Sequence, residues 1–265
     1  MIESGGMTEQ ILYRVEDHIA YVTFNRPAAR NAFTYEMYEA LADICATVDA
    51  DASVKAMILT GSGSKAFAAG TDIAQFHSMT NAQDVLDYEE RIERVLLALE
   101  QCRVPTIAAV AGACTGGGAI IAACCDLRIA AADAKFGFPI ARTLGNCLSL
   151  ANHARLVALI GAARVKDLVF RARLLDAQEA HAIGLWNDVI AATADLAAEA
   201  RALALRVGAH APLTLKATKQ TLLRLRASTL PHDEHDLVLM CYLSADFREG
   251  MAAFLEKREP AWKGV

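Results

Sequence analysis

One stretch near the middle of the chain limits the possible folds more than any other. Residues 104–126 read VPTIAAVAGACTGGGAIIAACCD, an apolar run interrupted by three consecutive glycines. The segment from Thr106 to Val110 predicts a buried strand, and the small apolar residues from Ala119 to Cys125 predict a buried helix. Because glycine is costly inside regular structure, Gly116–Gly118 predict a tight corner where another backbone or a ligand comes close.

A membrane-spanning helix and an anion site are two alternatives for this stretch. Pro105 and the glycines lie within the apolar run, and Asp126 with Arg128 ends it, which excludes a membrane-spanning helix. The N–H groups at a glycine-to-helix junction attract negative charge, so the corner is a candidate anion site. Taken alone, however, the pattern is better explained by a structural turn that binds nothing.

The composition excludes several classes of function. The 265 residues carry a formal net charge of −5, which argues against a nucleic acid or an anionic membrane as a partner. The seven cysteines form no C-x-x-C pair and no metal-ligand spacing, so we predict reduced thiols and no metal site. The first ten residues lack the apolar core of a signal peptide, and we therefore expect a cytoplasmic protein.

Strand and helix patterns alternate through the first two-thirds of the chain. This alternation predicts an α/β domain with a parallel component, whereas the last third is predicted to be helical. The predicted strands cover residues 11–16, 19–25, 55–60, 106–110, 126–130 and 186–190, with an extended segment at 135–139. The predicted helices cover residues 34–50, 81–101, 150–160, 165–171, 178–182, 196–207, 212–226 and 235–257.

Five motifs, taken together, resemble the crotonase (enoyl-CoA hydratase/isomerase) superfamily. The glycine corner belongs to VAGACTGGGAIIAACCDLRIAA at 110–131, and KAFAAGTDI precedes it at 65–73. The others are NRPAARNAF at 25–33, LLDAQEAHAIGLWNDV at 174–189 and SADFREGMAAFLEKREPAW at 244–262. These motifs occur in the family's order and span nearly the whole chain.

The resemblance implies a fold and a ligand. The implied fold class is α/β, with a crotonase-type spiral of ββα units and a CoA-thioester site over residues 1–195. The C-terminal helical region, residues 196–265, would mediate trimerisation, giving a homotrimer or a dimer of trimers. The implied substrate is an acyl thioester of coenzyme A. Coenzyme A would arrive as part of that substrate, with no tightly bound cofactor.

The resemblance also implies where the thioester binds. By motif match, its oxygen would lie between the backbone N–H groups of Thr71 and Gly117. Enolate-forming and acyl-addition chemistry places negative charge on that oxygen, and fixed donors stabilise the charge. Backbone donors require close approach, which accounts for the small residues around both positions.

Further positions match the family's binding site for the CoA moiety. Phe254 and Lys257 would reach the CoA of a neighbouring subunit. Arg30 is also explained as a solvated loop charge, and Lys257 as an ordinary cation in a last helical turn. The matching positions near the phosphates, pantetheine and adenine are Arg30, Ala32, Ala69, Asp72 and Ile73.

The chain departs from the hydratases of this family at two positions. Those hydratases carry one glutamate two residues after the glycine triplet and another after the proline of a Phe-Gly-x-Pro turn. The matching residues here are Ile120 and Ile140, and no Asp or Glu occurs between Ala134 and Ala151. Because isoleucine neither accepts a proton nor orients water, we predict no hydration by the two-glutamate route. Both isoleucines would instead line the substrate pocket.

Three residues are candidates for the missing catalytic group. Gly145–Cys147 resembles a Gly-Asn-Asp triplet of the aryl-CoA dehalogenases, which places Cys147 at the nucleophile's position. A helix beginning near Ser149 would lower the pKa of this thiol, although a small core thiol is the simpler explanation. Asn146 would orient a substrate group by hydrogen bonding. His77 lies six residues after the first oxyanion donor and is a candidate base, although a surface histidine is the better explanation.

Two functions from different classes remain open. One is an enoyl-CoA hydratase/isomerase-like enzyme, a lyase or isomerase that processes an acyl-CoA thioester by isomerisation, unusual hydration, hydrolysis or displacement. The other is an acyl-CoA-binding homologue without catalysis. A serine hydrolase is not supported, since Gly61–Ser64 lacks the strand–Gly-x-Ser-x-Gly–helix context. The glycine spacing does not fit a dinucleotide-binding fold either.

Overall fold

The computed structural model describes residues 9–191, 193–228 and 235–264, whose strands form two sheets surrounded by helices. The strands are β1 (Ile11–Glu16), β2 (Ile19–Phe24), β3 (Ala56–Gly61), β4 (Ala66–Ala68), β5 (Thr106–Val110), β6 (Ala113–Thr115), β7 (Leu127–Ala131), β8 (Lys135–Gly137), β9 (Leu174–Asp176) and β10 (Asp188–Ile190). The helices are α1 (Tyr35–Ala50), α2 (Ala82–Gln101), α3 (Gly117–Cys124), α4 (Ile140–Thr143), α5 (Leu150–Ile160), α6 (Ala162–Phe170), α7 (Ala177–Ala182), α8 (Leu196–Gly208), α9 (Pro212–Ala227), α10 (His235–Tyr242) and α11 (Ala245–Glu256).

Successive pairs of strands repeat one arrangement. In the pairs β3-β4, β5-β6 and β7-β8, the first strand belongs to the larger sheet, of order β1-β2-β3-β5-β7-β10, and the second to the smaller sheet, of order β4-β6-β8-β9. A helix follows the second strand, so that β3-β4-α2, β5-β6-α3 and β7-β8-α4 are ββα units. Within each sheet, strands of consecutive units are parallel neighbours. This arrangement confirms the predicted α/β spiral.

Glycine is required where one unit stacks on the next. Gly112 joins β5 to β6 with a φ of 61°, a torsion that residues with a side chain rarely adopt. A Cβ atom added to Gly112 would lie 2.2 Å from the carbonyl oxygen of Lys65, at the corresponding corner between β3 and β4. Ala113 N also donates a hydrogen bond to that oxygen, at 3.0 Å. The corners therefore stack directly on one another.

Helices cover both faces of the larger sheet. On one face, α1, α2 and α3 join a large apolar core that includes Phe24, Phe33 and Leu96. On the other face, α8 packs against the strands through small and aliphatic side chains. The first helix of the predicted C-terminal region is therefore part of the sheet's own packing. The buried side chains of this second cluster are Ile19, Ala56, Ile58, Ile107, Ala109, Ala111, Ile129, Ala131, Leu196, Ala200 and Ala204.

A buried ionic cluster holds α2, α5 and α9 together. Arg155 on α5 is 1% exposed and bonds Glu93 at 2.6 Å and Glu100 at 2.9 Å, both on α2. Arg226 on α9 bonds Glu100 from the other side at 2.5 Å. Burial alone would raise the pKa of Glu100, but hydrogen bonds from Arg226 and Arg155 outweigh it and lower that pKa. Glu100 is therefore ionised, and the cluster fixes the position of α2.

Several local predictions were wrong. The predicted corner between β5 and α3 contains a further strand, β6, because a three-residue strand is too short to show an alternating pattern. The helix predicted over 235–257 is two helices, since the Ser244 hydroxyl accepts a hydrogen bond from Phe247 N at 2.9 Å and caps α11. Residues 1–8, on which the expectation about a signal peptide largely rests, lie outside the described residues. Among the described helices, none has the length and apolar character needed to cross a membrane.

Candidate active site

A cavity of about 910 Å³ lies where the ββα units meet the C-terminal helices. Two kinds of surface line it. The backbone side consists of Ala69–Asp72, which follows β4, and Gly116–Gly117, which follows β6. The side-chain side consists of residues from α2, α3 and α4, the segment Leu144–Ser149, and Tyr242.

The backbone side brings two loops together. Gly70 and Gly116 have positive φ angles of 106° and 52°, and a Cβ added to Gly116 would lie 3.4 Å from the Cα of Gly70. A Cβ added to Gly117 would lie 3.5 Å from the nitrogen of Thr71. These distances place the backbones of Thr71 and Gly117 next to one another across the junction. That their two amides hold a thioester oxygen stays a prediction.

The amides of Thr71 and Gly117 are available to a ligand. Hydrogen bonds on either side of Thr71 fix its peptide, with Phe33 N donating to Gly70 O and Asp72 N donating to Phe33 O, each at 2.8 Å. Neither Thr71 N nor Gly117 N donates to another residue in the described ranges. Gly117 is the first residue of α3, where backbone N–H groups have no partner within the helix. Two backbone N–H groups with no acceptor among the described residues therefore border the cavity from separate loops.

Three hydroxyl groups adjoin these donors. The Tyr38 hydroxyl lies 2.9 Å from Thr71 Oγ1, which is 3.5 Å from the Tyr88 hydroxyl. Burial raises the pKa of both tyrosines above the usual value, so both phenols stay protonated and can donate. Tyr38 and Tyr88 stand 33 and 17 residues from Thr71 in sequence, and no motif identified them.

The side-chain side is largely apolar at the positions where hydratases carry glutamates. Ile120 on α3 and Ile140 on α4 both line the cavity and are buried. Neither side chain can transfer a proton or hold a water molecule. Glu89 on α2 also lines the cavity. No sequence signal singled it out, because a glutamate on a long amphipathic helix is typical of a solvated face.

The candidate nucleophile Cys147 lies in the cavity, but its environment does not activate it. Its Sγ donates to Leu237 O at 3.8 Å. Burial and the neighbouring Cys241 raise the pKa of Cys147, whereas a nucleophilic thiolate needs a lowered pKa. The predicted lowering by the helix that begins at Leu150 is therefore wrong, because burial outweighs it.

The other two candidates are placed differently. Asn146 lines the cavity, and its Nδ2 donates to the Tyr242 hydroxyl at 3.3 Å. Its buried Oδ1 has no hydrogen-bond partner among the described residues, which leaves an acceptor for a ligand. His77 is exposed and does not belong to the cavity lining, so its position gives no support to a role as base.

The residues matched to the CoA moiety line the cavity together. Asp72 pairs with Arg26 at 2.9 Å and caps the turn over Ile73–Ser78, so its carboxylate has a structural role. Arg30 is exposed, with a left-handed φ of 51°, and its carbonyl accepts a hydrogen bond from Ala69 N at 3.0 Å. The lining residues of this group are Arg30, Ala32, Ala69, Asp72 and Ile73.

Phe254 and Lys257 also line this cavity within the same chain. That they reach the CoA of a neighbouring subunit stays a prediction. Lys257 follows the last residue of α11 with a φ of 56°. Among the described residues, no group of His, Cys, Asp or Glu side chains is arranged to hold a metal ion.

Comparison with known proteins gives a consistent result. The family model described as enoyl-CoA hydratase/isomerase matches residues 14–265. A crotonyl-CoA hydratase of Syntrophomonas wolfei is 35% identical over 254 residues, covering 95% of this chain and 96% of that protein. An enoyl-CoA hydratase/carnithine racemase from Magnetospirillum magneticum has a TM-score of 0.79 and 35% identity, covering 97% of each chain.

A further solved structure shows the range of reactions among the similar proteins. It is a methylmalonyl-CoA decarboxylase in complex with 2-nitronate-propionyl-CoA, with a TM-score of 0.88 and 28% identity. The match covers 98% of this chain and all 100% of that one. The chain therefore belongs to the enoyl-CoA hydratase/isomerase family, and it is an enzyme of the hydratase/isomerase type.

Proposed function

We propose that this protein binds an acyl-CoA and holds its thioester oxygen between the N–H groups of Thr71 and Gly117. One observation carries the proposal: two backbone N–H groups with no acceptor among the described residues border one cavity from separate loops. Each donor is rigid, because neighbouring hydrogen bonds and the start of α3 fix its peptide. Such donors stabilise the negative charge of an enolate or a tetrahedral intermediate at that oxygen.

The reaction that we propose is not two-glutamate hydration. Addition of water across a double bond needs one group that activates water and one that protonates the α-carbon. Ile120 and Ile140 occupy the two matching positions and offer neither group. The similarity to a methylmalonyl-CoA decarboxylase agrees with chemistry other than hydration, since family membership does not by itself imply a hydratase. Enolate chemistry without addition of water fits these residues best.

The remaining parts of the proposal concern coenzyme A and assembly. Coenzyme A enters as part of the substrate, with Arg30 and Lys257 near its phosphates and no other cofactor. We further propose a cytoplasmic homotrimer or dimer of trimers. Exposed apolar side chains on α9 and α10 support an assembly surface there, since such patches mark interfaces. These side chains are Leu213, Leu222, Leu225, Leu237 and Met240.

A product screen tests the proposal. Purified protein is incubated with 3-enoyl-, 2-enoyl-, 3-hydroxyacyl- and haloaryl-CoA thioesters, and products are identified by mass spectrometry. We expect a defined product from at least one thioester and its loss in Gly117→Val, which fills the space beside Thr71 N. Tight binding without turnover would favour the non-catalytic homologue instead. Unchanged kinetics in Gly117→Val would refute the assigned oxyanion hole.

A further inference from the structure

The side-chain side of the cavity contains a polar pair formed by Asn146 and Tyr242. Both residues line the cavity, and Asn146 Nδ2 donates a hydrogen bond to the Tyr242 hydroxyl at 3.3 Å. The Oδ1 atom of Asn146 is buried and has no hydrogen-bond partner among the described residues. Because a buried acceptor without a partner is destabilising, an atom of this kind beside a cavity indicates a ligand group that completes it.

The pair lacks a partner whichever way the amide of Asn146 is turned. Exchanging Oδ1 and Nδ2 lets the amide oxygen accept a hydrogen bond from the Tyr242 hydroxyl, but the NH₂ group is then buried and unpaired. A hydroxyl group of a ligand satisfies both orientations, because it can donate to Oδ1 or accept from Nδ2. A carboxylate only accepts hydrogen bonds and therefore fits one orientation alone. A hydroxyl is thus the ligand group that fits this pair best.

Packing fixes the position of Asn146. The preceding residue, Gly145, has a φ of 75°, and its amide donates a hydrogen bond to Ile140 O at 2.8 Å. A Cβ atom added to Gly145 would lie 3.2 Å from the ring of Trp262 and 3.4 Å from the backbone of Asp246. The segment is therefore held against the start of α11 and the C-terminal residues. A fixed amide binds a matching group at a low entropic cost, which favours selectivity.

Aromatic rings separate the polar pair from the backbone side of the cavity. The Tyr88 hydroxyl lies 3.5 Å from Thr71 Oγ1, and the rings of Tyr88 and Tyr242 pack with their centroids 6.0 Å apart. The ring of Phe76 packs on both, at 5.4 and 6.2 Å, and all three aromatic residues line the cavity. An acyl chain whose thioester lies at the Thr71 amide therefore passes these rings before it reaches Asn146. Such a chain is apolar beside the rings and polar beyond them.

We infer that Asn146 and Tyr242 bind a hydroxyl group on the acyl chain of the substrate, several carbon atoms away from the thioester. The inference rests on the proposed function and names its substrate class, an acyl-CoA with an apolar chain and a distal hydroxyl. A cavity of about 910 Å³ has room for such a chain. The hydroxyl lies away from the carbons at which an enolate forms, so it takes no part in the reaction. The pair determines which thioester binds best.

Binding of saturated thioesters tests the inference, because these ligands have no double bond that can react. The probes are three pairs that differ only in a hydroxyl: hexanoyl- and 6-hydroxyhexanoyl-CoA, octanoyl- and 8-hydroxyoctanoyl-CoA, and 3-phenylpropanoyl- and 3-(4-hydroxyphenyl)propanoyl-CoA. Calorimetry gives the dissociation constant of each for the wild type. We expect at least one hydroxylated thioester to bind about fivefold or more tightly than its partner, the fold-change that one net hydrogen bond produces.

Two variants locate this preference on the polar pair. Asn146→Leu replaces the amide by an apolar side chain of similar size and should bring the two affinities of a pair together. Tyr242→Phe removes only the hydroxyl and should reduce the preference. The matched control is Tyr21→Phe on β2, outside the described lining of the cavity, which should keep the full preference. Melting temperatures show whether each variant folds.

Two outcomes would overturn the inference and leave the proposed function in place. One is equal binding of both members of every pair by the wild type, and the other is an unchanged preference in both Asn146→Leu and Tyr242→Phe. If the wild type binds none of the thioesters, the proposed function fails together with the inference. If Asn146→Leu does not fold, Tyr242→Phe and the comparison of pairs on the wild type still decide.

Discussion

The two sides of the cavity differ in what they are made of. On the backbone side, we propose that Thr71 and Gly117 act through amide groups, whose positions follow from how β4 and β6 stack in the spiral. On the side-chain side, Glu89, Ile120 and Asn146 line the cavity with side chains that a single substitution changes. In the proposed function, the fold itself therefore supplies the oxyanion hole, whereas the reaction depends on a few side chains. A family can keep one ligand and change its chemistry.

The largest expected effect is a loss of stability when the buried ionic cluster behind the side-chain side of the cavity is broken. Replacing Arg155 by Met leaves Glu93 and part of Glu100 without their buried partner, which should cost about 3–5 kcal/mol of unfolding free energy. Chemical denaturation measures the loss. The matched control is Arg94→Met on α2, where the exposed pair with Glu39 should cost less than about 1 kcal/mol. Equal effects of the two variants would contradict a special role for the cluster.

The next effect concerns the backbone side. In Gly117→Ala the added Cβ would lie 2.4 Å from the Tyr38 hydroxyl and 3.5 Å from Thr71 N, so it occupies the oxyanion space. We expect kcat to fall by about 10²–10³-fold, the usual loss when an oxyanion donor fails. Gly63→Ala is the control for a glycine outside the cavity, because nothing lies within 4 Å of its added Cβ. Its φ of 76° disfavours alanine, so the melting temperature of this variant is measured with its activity. Both variants are measured by steady-state kinetics on the substrate found in the product screen. Full activity in both would contradict the assigned oxyanion hole.

A smaller effect tests whether the neighbouring hydroxyls assist the amides. Tyr38→Phe removes the group that lies 2.9 Å from Thr71 Oγ1 without changing the ring packing. Because one hydrogen bond contributes about 1 kcal/mol net, we expect kcat/KM to fall about fivefold. Circular dichroism should show an unchanged fold. A loss as large as that of Gly117→Ala would mean that Tyr38 itself binds the thioester oxygen.

The smallest effect on kinetics is expected at Arg30, which we propose to lie near the phosphates of CoA. Arg30 is exposed, so its attraction to a phosphate is screened by water and salt. Arg30→Ala should raise KM by about two- to fivefold and leave kcat unchanged, consistent with an interaction below about 1 kcal/mol. The increase should shrink as the salt concentration rises. A fall in kcat instead would place Arg30 close to the reacting atoms rather than at the CoA phosphates.

Much of the architecture could be predicted from the sequence, because the long elements carry clear periodicity. The spiral also followed from a resemblance carried by short motifs, one of which includes Thr71 and another Gly117. The smaller sheet could not be predicted from periodicity, since β4, β6 and β9 have three residues each. The break at Ser244 was missed because both flanking segments are helical.

The chemical groups of the side-chain side were harder to predict for a different reason. Tyr38, Tyr88 and Tyr242 are distant in sequence and meet only in the folded chain, so no spacing links them. Glu89 looks like an exposed glutamate until the inward row of α2 is placed against the cavity. For Cys147, the proximity of a helix start favoured a lowered pKa, but burial has the larger effect. Local patterns do not reveal such burial.

Hydration of crotonyl-CoA in H₂¹⁸O tests most directly whether the two isoleucines exclude the hydratase reaction. The measurement follows ¹⁸O into 3-hydroxybutyryl-CoA by mass spectrometry, alongside binding of crotonyl-CoA to the same preparation. We predict that the wild type binds the thioester, yet forms no more labelled product than Gly117→Ala does. Rapid labelling by the wild type that Gly117→Ala abolishes would contradict this prediction, because the enzyme would then hydrate without the two glutamates.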